Sequence, residues 1–468
     1  MKYLHIIYTL LFGVAVFLFF GLAYPHHLHY QEQYQLFLFD SNYVWDVVKQ
    51  PGGIADLLGR FCTQFFLFAW VGAAIIAVLL SAVQLLTFRL ANYQLSTINY
   101  QLLYVLTFVP SFLLWIFLLD ENALLGGIWA VLLTQLAIWG LLQIPKGWLQ
   151  LVAFIVAIPI LYWVAFGGSH YYRYPTVVPW LLYAAWLLAV VPTFIRHREH
   201  REDRGHRGKN SSTRQLVNSS TISILLSVLC LLCGLCVVWK TSNFKAEKVM
   251  QYDFMACHQQ WNRILETVKA EKPNNQIGVT VQNLALAMHG KLLDHMFDYN
   301  QNGIAGLLPD VKTDATSPLP TAEAFYQLGM INVAQRTVFE AQEAILDFQK
   351  SGRCYKRLAQ TNLINGNYEV ARKYLTALQK TLFYRDWANE TLPLLGNEEA
   401  IAKHPEYGRL RQSAFKEDFY FSDHVTAEML ESLYFSNTDN RLAYQYLLAY
   451  YMLTGDREGY NNFISKQR

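Results

Sequence analysis

Apolar residues run almost unbroken through the first half of the chain. After Lys240 they give way to apolar positions three and four apart, set among charged ones. A hydrophobic run of roughly 18 residues or more is long enough to cross a bilayer as a helix. Seven stretches meet that length: 4–24, 65–88, 102–119, 123–144, 148–166, 177–195 and 222–239. The pattern therefore predicts an all-α protein, with a seven-span transmembrane helical bundle over 1–240 and a soluble helical-repeat domain over 241–468. Lys2 and the Gly21-x-Ala23 step give the first stretch some features of a cleaved signal, but its long apolar core reads as a retained anchor. Pro110, Pro159, Pro179 and Pro192 fall inside spans and imply kinks that neighbouring helices must compensate.

Between the first two spans, residues 25–64 are too bulky for a linker: Phe37, Phe39, Tyr43, Val44, Trp45, Val47 and Val48 crowd one part of it. Gln50-Pro51-Gly52-Gly53 signals a turn, and Ile54, Leu57, Leu58, Phe61 and Phe65 then recur at helical spacing. Two amphipathic helices at the outer membrane interface are expected, joined at Pro51–Gly53, with the second running into the next span.

In the second half, two stretches resemble tetratricopeptide repeats, helix-turn-helix units with fixed small and large positions. In RCYKRLAQTNLINGNYEVARKYLTALQK, Leu358-Ala359 take the first-helix pair, Gly366 the turn, and Ala371 and Leu375 the second helix. In FYQLGMINVAQRTVFEAQEAI, Leu328-Gly329 take the first pair and Ala341 and Ile345 the second, which places the turn at Arg336. YQYLLAYYMLTGDREGYNNFI keeps Leu447, Tyr451 and Gly455 but has Tyr460 where a small residue belongs, and VQNLALAMHGKLLDHMF turns at Gly290. The irregular spacing predicts a degenerate array whose stacked units share a core.

Charge then orients the chain. Only 16% of the residues are charged and 53% are hydrophobic, against about 25% charged in soluble domains. Seven Lys/Arg lie between Arg196 and Arg214 against three acids, whereas 25–64 holds Lys49 and Arg60 against four acids. The positive-inside rule puts the N-terminus and the basic loop 196–220 in the cytoplasm, beside anionic headgroups. The 25–64 loop and the C-terminal half then lie outside, which in a bacterium makes this an inner-membrane protein with a periplasmic domain. A net charge of +3 gives no reason to expect a nucleic-acid partner.

Candidate chemistry is sparse, and no cofactor or metal is expected. Cys230, Cys233 and Cys236 sit at helical spacing in an apolar run and read as packing residues. Cys257 and Cys354 could pair only if the domain is oxidised. His26, His27 and His29 read as exposed loop histidines, and His197, His200 and His206 as part of the basic loop. DYNQNGIAGLLPD starts like a calcium loop at Asp298, Asn300, Asn302 and Gly303, but its twelfth position is Pro309 where a bidentate Glu is needed. Glu340, Glu343, Arg372 and Lys373 read as solvated helix faces. No phosphate loop, HExxH or GxSxG occurs.

The loop QEQYQLFLFDSNYVWDVVKQPGGIADLLGRFCTQFF, the following Trp70-Val71-Gly72-Ala73 and VQNLALAMHGKLLDHMF together resemble an uncharacterised bacterial family of multi-pass membrane proteins, a domain of unknown function. This resemblance implies layout and no activity. The layout is also similar to that of membrane glycosyltransferases using lipid-linked sugars, in which a first outer loop carries an essential acid and the next outer loop a second acidic motif. That resemblance implies Asp40 (or Asp46) as base or metal ligand and Asp120-Glu121 as metal ligands. The chain departs from it in lacking an Arg-rich outer motif and in having few spans. The leading reading is an inner-membrane protein, in contact with membrane lipid, that presents its periplasmic repeats to a protein partner in an envelope-assembly or transport complex. The glycosyltransferase-like enzyme with Asp40, Asp120 and Glu121 is the alternative. A transporter is disfavoured, because the spans are almost free of ionisable residues.

Overall fold

The computed structural model describes residues 4–94, 100–145, 147–168, 177–202, 220–310, 318–345, 349–415 and 426–467. Among these the regular structure is helical, and β-structure is limited to one isolated bridge between Asn302 and Ile304. The chain forms two units. The first comprises residues 1–32 and 39–244, and the second 33–38 and 245–468.

The first unit opens with α1 (Leu4–Leu18), prolonged by a π-helical turn at Phe19–Ala23, and α2 (Pro25–Glu32). Then come α3 (Ser41–Val48), α4 (Gly53–Thr63), α5 (Ala69–Gln94), α6 (Tyr100–Leu106), α7 (Val109–Phe117) and α8 (Gly126–Leu142). It closes with α9 (Trp148–Leu161), which also ends in a π turn (Tyr162–Phe166), α10 (Val177–Glu202) and α11 (Ser220–Thr241). The 26-residue α5 is the hub, with α1, α7, α8 and α10 packed around it. Small residues allow close approach: a Cβ on Gly13 of α1 would come within 2.9 Å of Ser81 Oγ on α5. Fully buried Trp115 collects the rings of Phe12, Phe19, Phe20 and Phe112. Three buried polar side chains, Thr9, Gln84 and Thr107, form an uncharged chain of hydrogen bonds. Thr9 donates to Gln84 Oε1 (2.8 Å) and Gln84 to Thr107 Oγ1 (3.2 Å), with the Tyr104 hydroxyl 2.8 Å from Thr9 Oγ1. Such pairing avoids the cost of stranding a polar group where no water reaches it.

The expectation of seven spans is corrected. Among the described residues three helices are long and apolar enough to cross a membrane, at Ile6–Ala23, Ala69–Gln94 and Trp148–Phe166. A fourth counts if the bent pair Val228–Thr241 and Phe244–Cys257 is one span. Leu103–Phe117, Gly126–Leu142 and Val177–Pro192 are apolar but shorter. The reason is local. The 102–119 run breaks at Thr107-Phe108, and Pro110 sits in the first turn of α7 rather than kinking a longer helix. The 123–144 run yields a helix of 17 residues, about 25 Å long. Pro159 and Pro192 do lie inside helices. The basic stretch is helical as far as Glu202, and 203–219 lie outside the described residues.

The outer loop also differs from expectation. It holds three helices, and α4 does not run into the next span: a 3-10 turn (Gln64–Leu67) and extended Phe68 separate it from α5. Nor does α4 lie wholly on the surface. It packs against α8 and the second π turn, so closely that a Cβ on Gly59 would sit 2.4 Å from the Gly126 nitrogen.

The second unit begins with α12 (Phe244–Cys257), α13 (Trp261–Glu271), α14 (Gln276–Met288) and α15 (Leu292–His295). Two hairpins follow, α16 (Pro318–Leu328) with α17 (Ile331–Ala344) and α18 (Gly352–Ile364) with α19 (Tyr368–Gln379). After these come α20 (Arg385–Thr391), α21 (Glu398–Lys403), α22 (Pro405–Ser413), α23 (Thr426–Ser436), α24 (Arg441–Thr454) and α25 (Arg457–Lys466). Consecutive helices pack pairwise from α16 to α20, and α24 returns to pack on α14, α15 and α16. The array thus closes on its own beginning, which a purely nearest-neighbour stack does not do.

The turns share one device. Gly290, Gly329, Gly366, Gly396 and Gly455 all have φ between 68° and 94°. At Gly290, Gly329 and Gly366 the next residue's N–H reaches back to a carbonyl five residues earlier: Lys291 to Leu286, Met330 to Phe325 and Asn367 to Asn362 (2.8–2.9 Å). This Schellman closure satisfies carbonyls that the helix end leaves open and needs a left-handed residue, hence glycine. It also corrects the register of one repeat. The turn expected at Arg336 lies at Gly329, and α17 runs straight through Arg336. Ala334 and Ala371, each five residues past its glycine, are fully buried.

The stretch resembling a calcium loop is bound to protein. Asn300 donates to the Lys272 and Pro273 carbonyls, Asn302 to that of Asn274, and Asn283 to that of Gly306.

Candidate functional site

Of the acids singled out from the sequence, Asp40 and Asp120 bond local backbone, and Asp46 pairs with Lys49 at 2.5 Å. Asp40 is the N-cap of α3: its Oδ1 accepts from the Asn42 and Tyr43 amides at 3.1 and 3.2 Å, satisfying donors that a helix start leaves open. Asp120 Oδ1 accepts from the Asn122 amide at 2.8 Å and closes its own turn, where Glu121 is half-buried. That turn is gripped by α2 through its backbone. His27 Nε2 lies 2.8 Å from the Leu118 carbonyl, and Gln31 donates to the carbonyls of Asp120 and Ala123. Among the described residues no three His, Cys, Asp or Glu side chains, these acids included, are placed to hold a metal ion. The His26, His27 and His29 group is not the exposed loop expected. His27 is buried and the other two are half-buried. Burial pushes the His27 imidazole down to about 4, opposed in part by its bond to Leu118.

Two charged arrangements were passed over in the sequence. The first is Asp56 with Arg60. Arg60 donates twice to Asp56 Oδ2, at 2.6 and 2.9 Å, and its Nη1 to the Tyr43 hydroxyl at 3.4 Å. Both charged side chains are largely buried. The i, i+4 spacing was visible; its burial against α8 was not. The pair clamps α4 to α3, and no described metal-type cluster adjoins it.

The second lies in the helical unit and joins residues far apart in the chain. Arg353, on α18, forms a fork to Asp253 of α12 at 2.5 and 2.8 Å. One turn on, Arg357 donates to Glu323 of α16 at 2.6 Å and lies over the Tyr326 ring, 3.6 Å from its centroid. Gln327 bonds Glu323, and Arg409 of α22 donates to the Gln327 side chain and carbonyl. Lys356 sits over Trp387 at 5.1 Å, and burial lowers its ammonium below the ordinary lysine value. The only signal in the sequence is the spacing of bases in RCYKR, residues 353–357. Cys257 and Cys354 are both free thiols, the latter packed in an apolar cluster with Leu319, Ala322 and Val338.

This network borders an apolar cluster that takes in a segment from the first loop. Residues 35–40 carry no regular structure. Leu36 donates its N–H to the Lys350 carbonyl at 2.7 Å and buries its side chain among Ala359, Leu375, Leu378 and Ala388. Leu38 packs against the same cluster. Arg353 Nη1, its other donors turned to Asp253, reaches Gln33 Oε1 at 3.4 Å. A six-residue piece from the loop before α3 is thus seated on α18, α19 and α20 as part of the second unit.

No curated protein and no solved structure matches the chain. A protein family does, over residues 1–170 and 165–468, together the whole length. The chain belongs to that family, which is described as a family of unknown function (DUF6057).

Proposed function

We propose that this chain is a multi-pass membrane protein that displays a tetratricopeptide-like helical domain outside the cytoplasm, where the domain binds a protein partner. In a bacterium this is an inner-membrane protein with a periplasmic domain, working in an envelope-assembly or transport complex. The membrane reading is supported by what faces outward. On α1 and its π turn, Ile6, Leu10, Val14, Leu18 and Leu22 form an exposed stripe at i, i+4 spacing. On α9, Val152, Val156 and Ile160 form another. Each such side chain forgoes about 1.5–3 kcal/mol if left in water and nothing in lipid. The 22-residue α11 is about 33 Å long and adds a span by length. The hairpin turns at Gly329 and Gly366, each with a buried alanine five residues on, support the tetratricopeptide-like reading.

One observation carries the choice of scaffold over enzyme: the carboxylates that a glycosyltransferase-like reaction would need, Asp40 and Asp120, each close local backbone. Asparagine caps a helix about as well as aspartate, so Asp40→Asn and Asp120→Asn remove charge while keeping the caps. In a strain lacking the gene, both variants are expected to complement as well as the wild type. Loss of complementation by both, at normal levels in the membrane, would replace the scaffold with the enzyme.

A further inference from the structure

We propose that the face of α18, α19 and α20 is a binding groove for extended polypeptide segments with aliphatic side chains two residues apart, and that Gln33–Leu38 is its intramolecular occupant, which a partner's segment replaces. The inference rests on the scaffold reading and names the chemistry of the partner. Three features of the seated segment define the site. It carries no helix over residues 35–40, and Leu36 and Leu38, two residues apart, both meet the cluster around Ala359 and Leu378. Its main chain is recognised as such, by the Leu36 amide on the Lys350 carbonyl. Backbone bonding with pockets for alternate side chains is how proteins recognise extended peptides of many sequences. At the polar end Arg353 is already neutralised by Asp253, so it offers the incoming chain a donor without net charge. That end suits an amide such as Gln33 better than a carboxylate. The preferred partner therefore reads amide-x-x-aliphatic-x-aliphatic.

The occupant reaches the groove from the far end of the sequence: more than 200 residues separate Leu38 from Lys245, where the rest of the second unit begins. It is held at both ends by α2 and α3, whose residues belong to the first unit. A tethered ligand competes at an effective concentration on the order of millimolar, so the wild-type groove should look nearly closed to a free peptide.

The test uses the full chain in detergent micelles and a fluorescent peptide of residues 32–40, read by anisotropy. Wild type is expected to bind it weakly. The variant Leu36→Ser/Leu38→Ser, whose own segment no longer fills the pocket, should bind at least tenfold more tightly. A peptide carrying the same two serines should bind neither protein. A folded double variant that gains no affinity would overturn the proposal, making the segment ordinary core. If that variant does not fold, Gln33→Ala decides, since it loosens only the Arg353 end: a raised affinity supports the groove, an unchanged one overturns it. Light scattering of the same samples covers a second copy as occupant, because a wild-type dimer abolished by the serine pair would assign the groove to an exchanged segment and overturn the partner. Failure of peptide binding leaves membrane display standing, which is read separately by side-specific labelling.

Discussion

His27 shows how a single side chain acquires a meaning that its type does not announce. In H-H-x-H it looks like a loop histidine; in the fold it is buried and tied to the Leu118 carbonyl, with its pKa pushed down to about 4. The unfolded chain, with an ordinary value near 6.5, takes up a proton through the window from pH 6.5 to 4 while the folded chain does not. Stability is therefore complete above about pH 6.5 and falls as the pH drops towards 4, by an amount on the order of 3 kcal/mol at about 1.4 kcal/mol per unit. The melting temperature of detergent-solubilised wild type should fall over that window. His27→Gln, which keeps a donor but cannot titrate, should give a shallower slope; parallel curves would show that His27 is not the group responsible. Asp40 and Asp120 carry the converse lesson. As residue types they suggested chemistry, yet each finds its partner two or three residues away, and short polar side chains often close turns and helix starts in this way.

At the scale of the element, the glycine turns were legible and their register was not always so. Gly290 and Gly366 stand at the expected turns, each with a left-handed φ. Gly329 was read as a packing position because Leu-Gly fits the first helix of the repeat equally well; the second half of the motif then had to turn at Arg336. A left-handed C-cap followed by a small residue five positions on, as at Gly329 with Ala334 and Gly366 with Ala371, is the better signal. The two glycines differ in what surrounds them. At Gly366, with φ of 79°, an added Cβ meets nothing within 4 Å; at Gly329, with φ of 94°, it would come within 2.6 Å of the Ser413 carbonyl oxygen. Gly366→Ala should therefore cost only the conformational penalty, about 1 kcal/mol. Gly329→Ala should cost at least twice that, because backbone at the end of α22 has to move. Chemical denaturation of the two variants under identical conditions checks the order, and equal losses would contradict the tight approach.

For the whole molecule, the proposed membrane topology is constrained by parity. Within the first unit the Tyr24 hydroxyl accepts from the Asn243 amide at 3.0 Å and its ring meets Phe244, so the end of α1 and the end of α11 lie at one level. The segment 33–38 belongs to the same unit as everything after Lys245. Under the proposed topology both facts call for an even number of crossings between the first loop and the C-terminal half. In that topology α5, α9 and α11 would make three, so one or all three of the shorter apolar helices would cross as well. In a background without native cysteines, Asp46→Cys and Lys466→Cys should be labelled by an impermeant maleimide from the same side of the membrane, and Gly205→Cys from the other. Labelling of residues 46 and 466 from opposite sides would refute the arrangement.

The sequence by itself determined the class of each half: uninterrupted apolar runs can only be satisfied as helices packed in an apolar setting, and period-3.6 patterning with glycine stops makes helical hairpins. These are local properties, carried by neighbours in the chain. It could not determine how many runs become full-length helices, because a break such as that at Thr107-Phe108 depends on what packs beside it. Nor could it show that Asp253 meets Arg353, or that Leu36 and Leu38 of the first loop pack on α18–α20. Those pairings join residues a hundred or more positions apart, and burial selects them only once the helices have packed and the buried charges and aliphatic side chains have no better place to go.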